Sequence, residues 1–302
     1  MALQVLKRTF RDFSEDECPL RAAGLAYYTI FSLPPLLVLI LMLVSLIWDP
    51  QTIQRALEGQ FAAMMGPRAA GQIHTMIQSA NQPGSGGLVT TLIGFAGLVF
   101  GATGAFLNLQ GALNRAWEVE PDPEGGIVRT LLKRVFSFGM ILGIAFLLLV
   151  SLVLSAALST FGNALSGMLP GGVSHVVLQI VELAISFAVI TLLFAVMFKV
   201  VPDAVIAWRD VWPGAVVTAL LFVVGKFGIG FYLGRSNPGQ AFGAAGALAV
   251  LLLWIYYSGL IILLGAEFTQ AWVQSRGKRI EPAKGAVRVV EEKRSVRAGE
   301  SS

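Results

Sequence analysis

GAAGALAVLLLWIYYSGLIILLGAEFT, residues 243–269, carries one charged side chain, Glu267, and that lies near its end. A hydrocarbon core of roughly 30 Å needs about 20 mostly apolar residues of helix to cross it. The stretch also lacks the alternation of apolar and polar residues that marks a porin-type strand. It therefore reads as a membrane-spanning helix. The same test applied outward along the chain gives six windows: 25–48, 88–109, 135–161, 176–201, 211–233 and 242–267. The 302 residues are 55% hydrophobic and 13% charged, where a soluble domain carries about a quarter charged residues. That balance excludes an ordinary water-soluble enzyme. The expected fold is all-α: a polytopic membrane protein, a six-transmembrane-helix bundle with short amphipathic interfacial helices. The first apolar run is too far from the N-terminus and too long for a signal peptide, and no small-residue cleavage site follows it, so it reads as a retained span.

Lys and Arg accumulate on the cytoplasmic side of spans. Of 22 such residues, 18 fall before the first span, between the second and third, beside the fourth-to-fifth connection, or after the sixth. The opposite segments hold Arg55, Arg68 and Arg235, and Lys226 lies inside a span. Both termini are therefore expected in the cytoplasm, which an even number of spans also requires. The net charge of +4 is read as topology and contact with anionic lipid. Nucleic acid is not expected as a partner, because no folded basic and aromatic platform is present.

Residues 1–20 form a cytoplasmic amphipathic segment: Leu3, Leu6, Phe10 and Phe13 share one face and Lys7, Arg8, Arg11 and Asp12 the other, a pattern suited to lying on the leaflet. Residues 21–275 form the membrane domain, with an external helical segment over 49–87. Residues 276–302 are basic, polar and aperiodic, and are expected to be a disordered cytoplasmic tail. Pro34 and Pro35 remove two amide donors from the first span and predict a kink or a packed break there. Gly94, Gly97, Gly101 and Gly104 form a stripe along the second span, and Gly230 and Gly234 repeat the GxxxG spacing in the fifth. Both predict close helix packing.

Ionisable groups inside spans are the sharpest functional leads, since a charge in hydrocarbon is costly unless paired or wet. Glu182 and Lys226 each lie roughly 10 Å inside the external boundary at about 1.5 Å per residue. They read either as a structural clasp or as a headgroup site opening outward. Trp254, Tyr256 and Tyr257 stand mid-span in the sixth helix, where their polar atoms need partners. They are candidates for an aromatic cavity wall or for inter-helix packing. Arg21, Asn108, Asn114 and Glu267 form a candidate polar cluster at the cytoplasmic end.

No GxxxxGK[ST], HExxH or GxSxG motif is present. The single cysteine, Cys18, has no partner for a disulfide, and no Cys/His set predicts a metal. No cofactor and no enzymatic activity are expected.

RAAGLAYYTIFSLPPLL (21–37), GATGAFLNLQGALNRAW (101–117), VPDAVIAWRDVWPGA (201–215) and the stretch at 243–269 together resemble the YihY/BrkB family of bacterial inner-membrane proteins. The resemblance implies a bacterial inner membrane and a six-span bundle. Members once carried a ribonuclease BN label, which the absence of a nuclease ligand set disfavours here. Others are described as virulence factors or are linked to export of envelope lipids. The expectation is a non-enzymatic protein of transport or lipid handling, with membrane lipids and envelope proteins as partners. A scaffold that recruits an envelope-assembly partner is the alternative.

Overall fold

A computed structural model describes residues 2–44, 103–122, 173–235 and 244–289, with isolated positions 55, 59 and 71. Side chains are described over 3–32, 103–122, 183–229 and 248–289, and at those three isolated positions. In chain order the elements are α1 (Ala2–Glu15), α2 (Cys18–Val44), α3 (103–116), β1 (Val119–Pro121), α4 (Val173–Val200), β2 (Ala204–Val205), α5 (Trp208–Arg235), α6 (Ala244–Ser275), β3 (Glu281–Pro282) and β4 (Ala286–Arg288).

Among the described residues, three helices are long and apolar enough to cross a membrane: Leu183–Val200, Trp208–Ile229 and Leu248–Ser275. They fall on the fourth, fifth and sixth expected spans. Helix α2 falls on the first, and α3 on the end of the second. The third span, the start of the second and nearly all of 49–87 lie outside the described residues, as do Gly94, Gly97 and Gly101. Leu183, Leu220, Val224 and Phe227 are each more than half exposed. Large apolar side chains displayed along such helices suit a hydrocarbon solvent. Of the kink or break expected at Pro34 and Pro35, a break does not occur: α2 stays helical through both to Val44. Membrane helices tolerate proline because neighbours and local adjustment re-satisfy the freed carbonyls.

Helix α6 is the centre of the described packing, with α1 and α2 on one side and α5 on the other, while α4 packs on α5. The α5–α6 contact is built from two facing Gly-xxx-Thr units. A Cβ added at Gly214 would lie 1.8 Å from Thr269 Oγ1 and 2.7 Å from the Gly265 carbonyl oxygen, and one at Gly265 would lie 1.7 Å from Thr218 Oγ1. Each threonine is turned inward and donates to the carbonyl four residues back in its own helix, Thr218 to Gly214 and Thr269 to Gly265, both at 2.8 Å. Neither hydroxyl is left unsatisfied in the apolar contact, and the two backbones meet with nothing larger than threonine between them.

The tail departs from its expected disorder. Residues 281–282 pair antiparallel with β2, and residues 286–288 with β1. Gly277 and Gly285 supply the positive φ of the turns (70° and 81°), Ile280 is buried, and Val289 N donates to the Glu118 carbonyl at 2.9 Å. Strands of two and three residues carry no periodic signal, and their partners lie in two other loops, so the pairing was invisible in the tail's own composition. Residues beyond 289 lie outside the described set. The tail thereby ties the segment after α3 and the α4–α5 loop together, and its Arg288 borders the same cleft as the N-terminal helix. These are segments that the charge count had assigned to one side of the membrane.

Candidate functional site: a charged cleft at the basic end of the bundle

Helix α1 has three faces. Val5 and Thr9 are buried, on the side that packs against α6. Leu3, Leu6 and Phe10 are exposed, at 67%, 45% and 61%, and so turn away from the protein body. Arg8, Arg11, Asp12 and Glu15 face a cleft of about 870 Å³. Its other walls are Asp16 and Arg21 from the α1–α2 corner, Leu107, Gln110, Asn114 and Arg115 from α3, Gln270 from α6, and Glu118, Glu120 and Arg288 from the β1–β4 sheet. The cleft thus sits where the apolar stretches of α2 and α3 give way to charge. Beside it, one helix offers an apolar face outward and a polar face inward.

Guanidinium and carboxylate groups in the cleft are largely matched. Arg8 Nε lies 3.2 Å from Asp12, Arg11 Nη2 lies 3.1 Å from Asp12, and Arg288 Nη2 lies 2.6 Å from Glu118. Arg115 Nε donates to Asp16 Oδ1 at 2.9 Å, with both side chains about one-fifth exposed. Arg21 Nε donates to the Asp16 carbonyl at 3.0 Å and so ties the start of α2 to the corner. The cleft floor is fixed by a two-way clamp. Asn114 Nδ2 donates to Asp203 Oδ2 at 2.9 Å, and the Asp203 amide returns a bond to Asn114 Oδ1 at 2.8 Å. Gln110 adds a third contact to Asp203 at 3.3 Å. Both of Asn114's polar atoms are thereby used, as a buried amide requires.

Behind the wall, Glu267 is fully buried. Cys18 Sγ, itself 1% exposed, donates to Glu267 Oε1 at 3.6 Å, and the Asp16 carboxyl, two residues before Cys18 in the chain, lies near enough to Glu267 for the two acids to interact. Burial pushes the Asp16 carboxyl above its ordinary range, against the opposing pull of Arg115. Burial, reinforced by Glu267, pushes the Cys18 thiol up as well, so it stays protonated and acts as a donor.

The residues singled out in the sequence distribute as follows. Arg21 and Asn114 line the cleft, Glu267 stands behind it, and Asn108 packs against Gly24, where an added Cβ would lie 3.1 Å from Asn108 Nδ2. Gly104 receives the ring of Tyr28, 2.9 Å from where its Cβ would be. Trp254 is buried in an aromatic run with Phe222 (5.5 Å) and Phe194, and Tyr257 lies 6.4 Å from Trp254. The Tyr257 hydroxyl donates to the Leu221 carbonyl at 2.7 Å, and its ring occupies the space a Cβ on Gly225 would need. Tyr256 packs on the core. These contacts join α4, α5 and α6. Lys226 is half-buried in α5. Glu182 lies in α4, but its side chain is outside the described residues, as are the surroundings of Gly230 and Gly234. Asp16, Arg115 and Asp203 were not singled out, because nothing local in the sequence says that an α1–α2 corner, an α3 terminus and an α4–α5 loop meet.

The profile of the family described as Virulence factor BrkB matches residues 9–289. The chain belongs to this family. A UPF0761 membrane protein of Ralstonia nicotianae is 31% identical over 268 residues, which cover 87% of this chain and 58% of the relative. One from Stenotrophomonas maltophilia is 30% identical over 277 residues, covering 89% and 61%. One from Tolumonas auensis is 29% identical over 265 residues, covering 84% and 80%. The chain spans about three-fifths of the length of the first two of these BrkB-family relatives. No solved structure matches it.

Proposed function

We propose that this BrkB-family membrane protein is a six-span bundle of the bacterial inner membrane with both termini cytoplasmic. In this reading it acts without catalysis, by moving or presenting amphiphilic lipids whose headgroups enter the charged cleft. The observation that carries the reading is the arrangement of α1. Its outward face of Leu3, Leu6 and Phe10 suits immersion in the leaflet, and its opposite edge lines a cleft where matched guanidinium and carboxylate groups offer partners to both charges of a zwitterionic headgroup. Lys226 and Glu182 are the candidate polar contacts at the far end of the bundle.

Reconstitution tests this reading. Vesicles carrying fluorescent phosphatidylethanolamine or phosphatidylglycerol should show protein-dependent loss of inner-leaflet protection from a membrane-impermeant quencher. Arg21→Ala should slow that loss. Folded, inserted protein that moves neither headgroup class overturns the lipid reading.

The mutual pairing of the cleft charges favours a second reading, a rigid cytoplasmic face that recruits an envelope-assembly partner. In that case lipid movement is absent, and cross-linking from the cleft rim captures a discrete protein in cells.

A further inference from the structure

We propose that Asp16 and Glu267 form a proton-binding site on the wall of the cleft, and that the bound proton holds the α1–α2 corner against α6. Glu267 is fully buried. Its Oε1 receives the Cys18 thiol, and its Oε2 meets no donor among the described residues. The acid beside it is the Asp16 carboxyl, which interacts with it and raises the cost of a second negative charge. Two carboxyl groups in contact are joined only if one carries a proton; two bare carboxylates repel, and here one of them would be buried without a counter-charge.

The charged and titratable groups around the pair come from every neighbouring element. Helix α1 contributes Asp12, which disfavours a second negative charge, and α3 contributes Arg115, which holds Asp16 Oδ1 at 2.9 Å. The start of α2 contributes Cys18 and Arg21. On α5, Asp210 is taken up by Lys278 and Arg276. With Arg115 fixing one Asp16 oxygen as an acceptor, the proton resides between the two carboxyls. Burial of Asp16 outweighs Arg115 and favours proton uptake.

Among the described residues, the site reaches water through the cleft. Asp16 lines the cleft and Glu267 does not, so a proton arrives at Asp16, passes to Glu267 and leaves the same way. Its loss sets two carboxylates against each other across the contact between the corner and α6. The corner is a tight turn, with Glu17 at φ 53°. Moving it carries α1, whose Arg8, Arg11 and Glu15 form the outer wall of the cleft. Proton occupancy is thereby coupled to cleft width. The inference goes beyond the headgroup reading and does not depend on it, because the site is defined without any cargo.

Cys18, the chain's single cysteine, reports the corner directly. Full-length protein in lipid nanodiscs is labelled with a small maleimide between pH 5 and 8.5, and each rate is divided by that of the same protein unfolded in SDS at the same pH. This cancels intrinsic thiol ionisation. The normalised rate should rise with pH above the ordinary aspartate value of 3.8, by up to about tenfold per unit for opening linked to one proton. In Glu267→Gln the amide donates to Asp16 at every pH, and the rate should stay low and flat. Should that variant fail to fold, Asp16→Asn removes the same repulsion and should flatten the profile. A flat wild-type profile, or a variant slope equal to that of wild type, overturns the proposal.

Discussion

The two sides of α6 are built on opposite principles within a few residues of each other. Towards α5, Gly265 and Thr269 meet Thr218 and Gly214 in a contact where every hydroxyl is satisfied by its own helix and no added atom fits. Towards α2 and α1, Glu267 meets Cys18 and Asp16, with one carboxylate oxygen lacking a donor among the described residues. The first contact has a single low-energy arrangement because its cohesion is steric. The second has an arrangement for each protonation state because its cohesion depends on a proton. A helix held rigidly on one face and conditionally on the other can let its neighbour move without losing its own place.

The largest effect is expected where the rigid side is forced apart. Gly214→Ala places a methyl group against Thr269 and the Gly265 carbonyl, and overpacking of this kind costs roughly 1–3 kcal/mol. Thermal unfolding in detergent should show it. Thr269→Ala should recover only part of the loss, because the carbonyl at 2.7 Å remains. Thr218→Ala should recover more of the loss in Gly265→Ala, where the closest atom is the threonine oxygen and the remaining tight contacts, to Phe198 Cζ and Thr218 Cβ, are at 3.1 Å.

Asn114→Ala is expected to cost a similar amount. It removes both bonds of the clamp and leaves the Asp203 amide without its partner, a loss of about 1–3 kcal/mol for stranded polar groups. If unfolding is unchanged, the clamp does not hold the cleft floor. A smaller effect is expected from Tyr257→Phe, which deletes one neutral hydrogen bond worth about 0.5–1.5 kcal/mol and keeps the ring over Gly225. The smallest is expected from Arg288→Ala. Its ion pair with Glu118 is about one-third exposed on both sides, where solvent screening leaves roughly 0–1 kcal/mol. A large loss there would mean that the tail sheet matters more to the fold than its ion pair indicates.

How much of this was legible depends on the range of each interaction. The apolar windows foretold α4, α5 and α6 to within a few residues at most boundaries, because twenty apolar residues in a row admit few other readings. Helix α6 continues past the expected span end at Glu267 to Ser275. Among the described residues, α1, the segment after α3 and the tail also border one cleft, and the tail pairs with the α4–α5 loop. The glycines sought for packing were those with GxxxG spacing, whereas the α5–α6 contact uses WPGAVVT and GAEFT. Searching for Gly-xxx-Thr would have found both units. Of the expected cluster, Arg21 and Asn114 line the cleft, Glu267 is buried behind it and Asn108 packs against Gly24; Asp16, Arg115 and Asp203 were not legible. Their meeting is set by the crossing of helices far apart in sequence, and so were the short strands of the tail.

Hydrogen exchange in nanodiscs, read by mass spectrometry at pH 5.5 and 8 and corrected for intrinsic rates, tests the contrast between the two sides of α6 most directly. Peptides covering 12–22 should lose protection at the higher pH while those covering 211–219 keep theirs, and Glu267→Gln should abolish the difference. Protection that changes equally in both regions, or in neither, would contradict it.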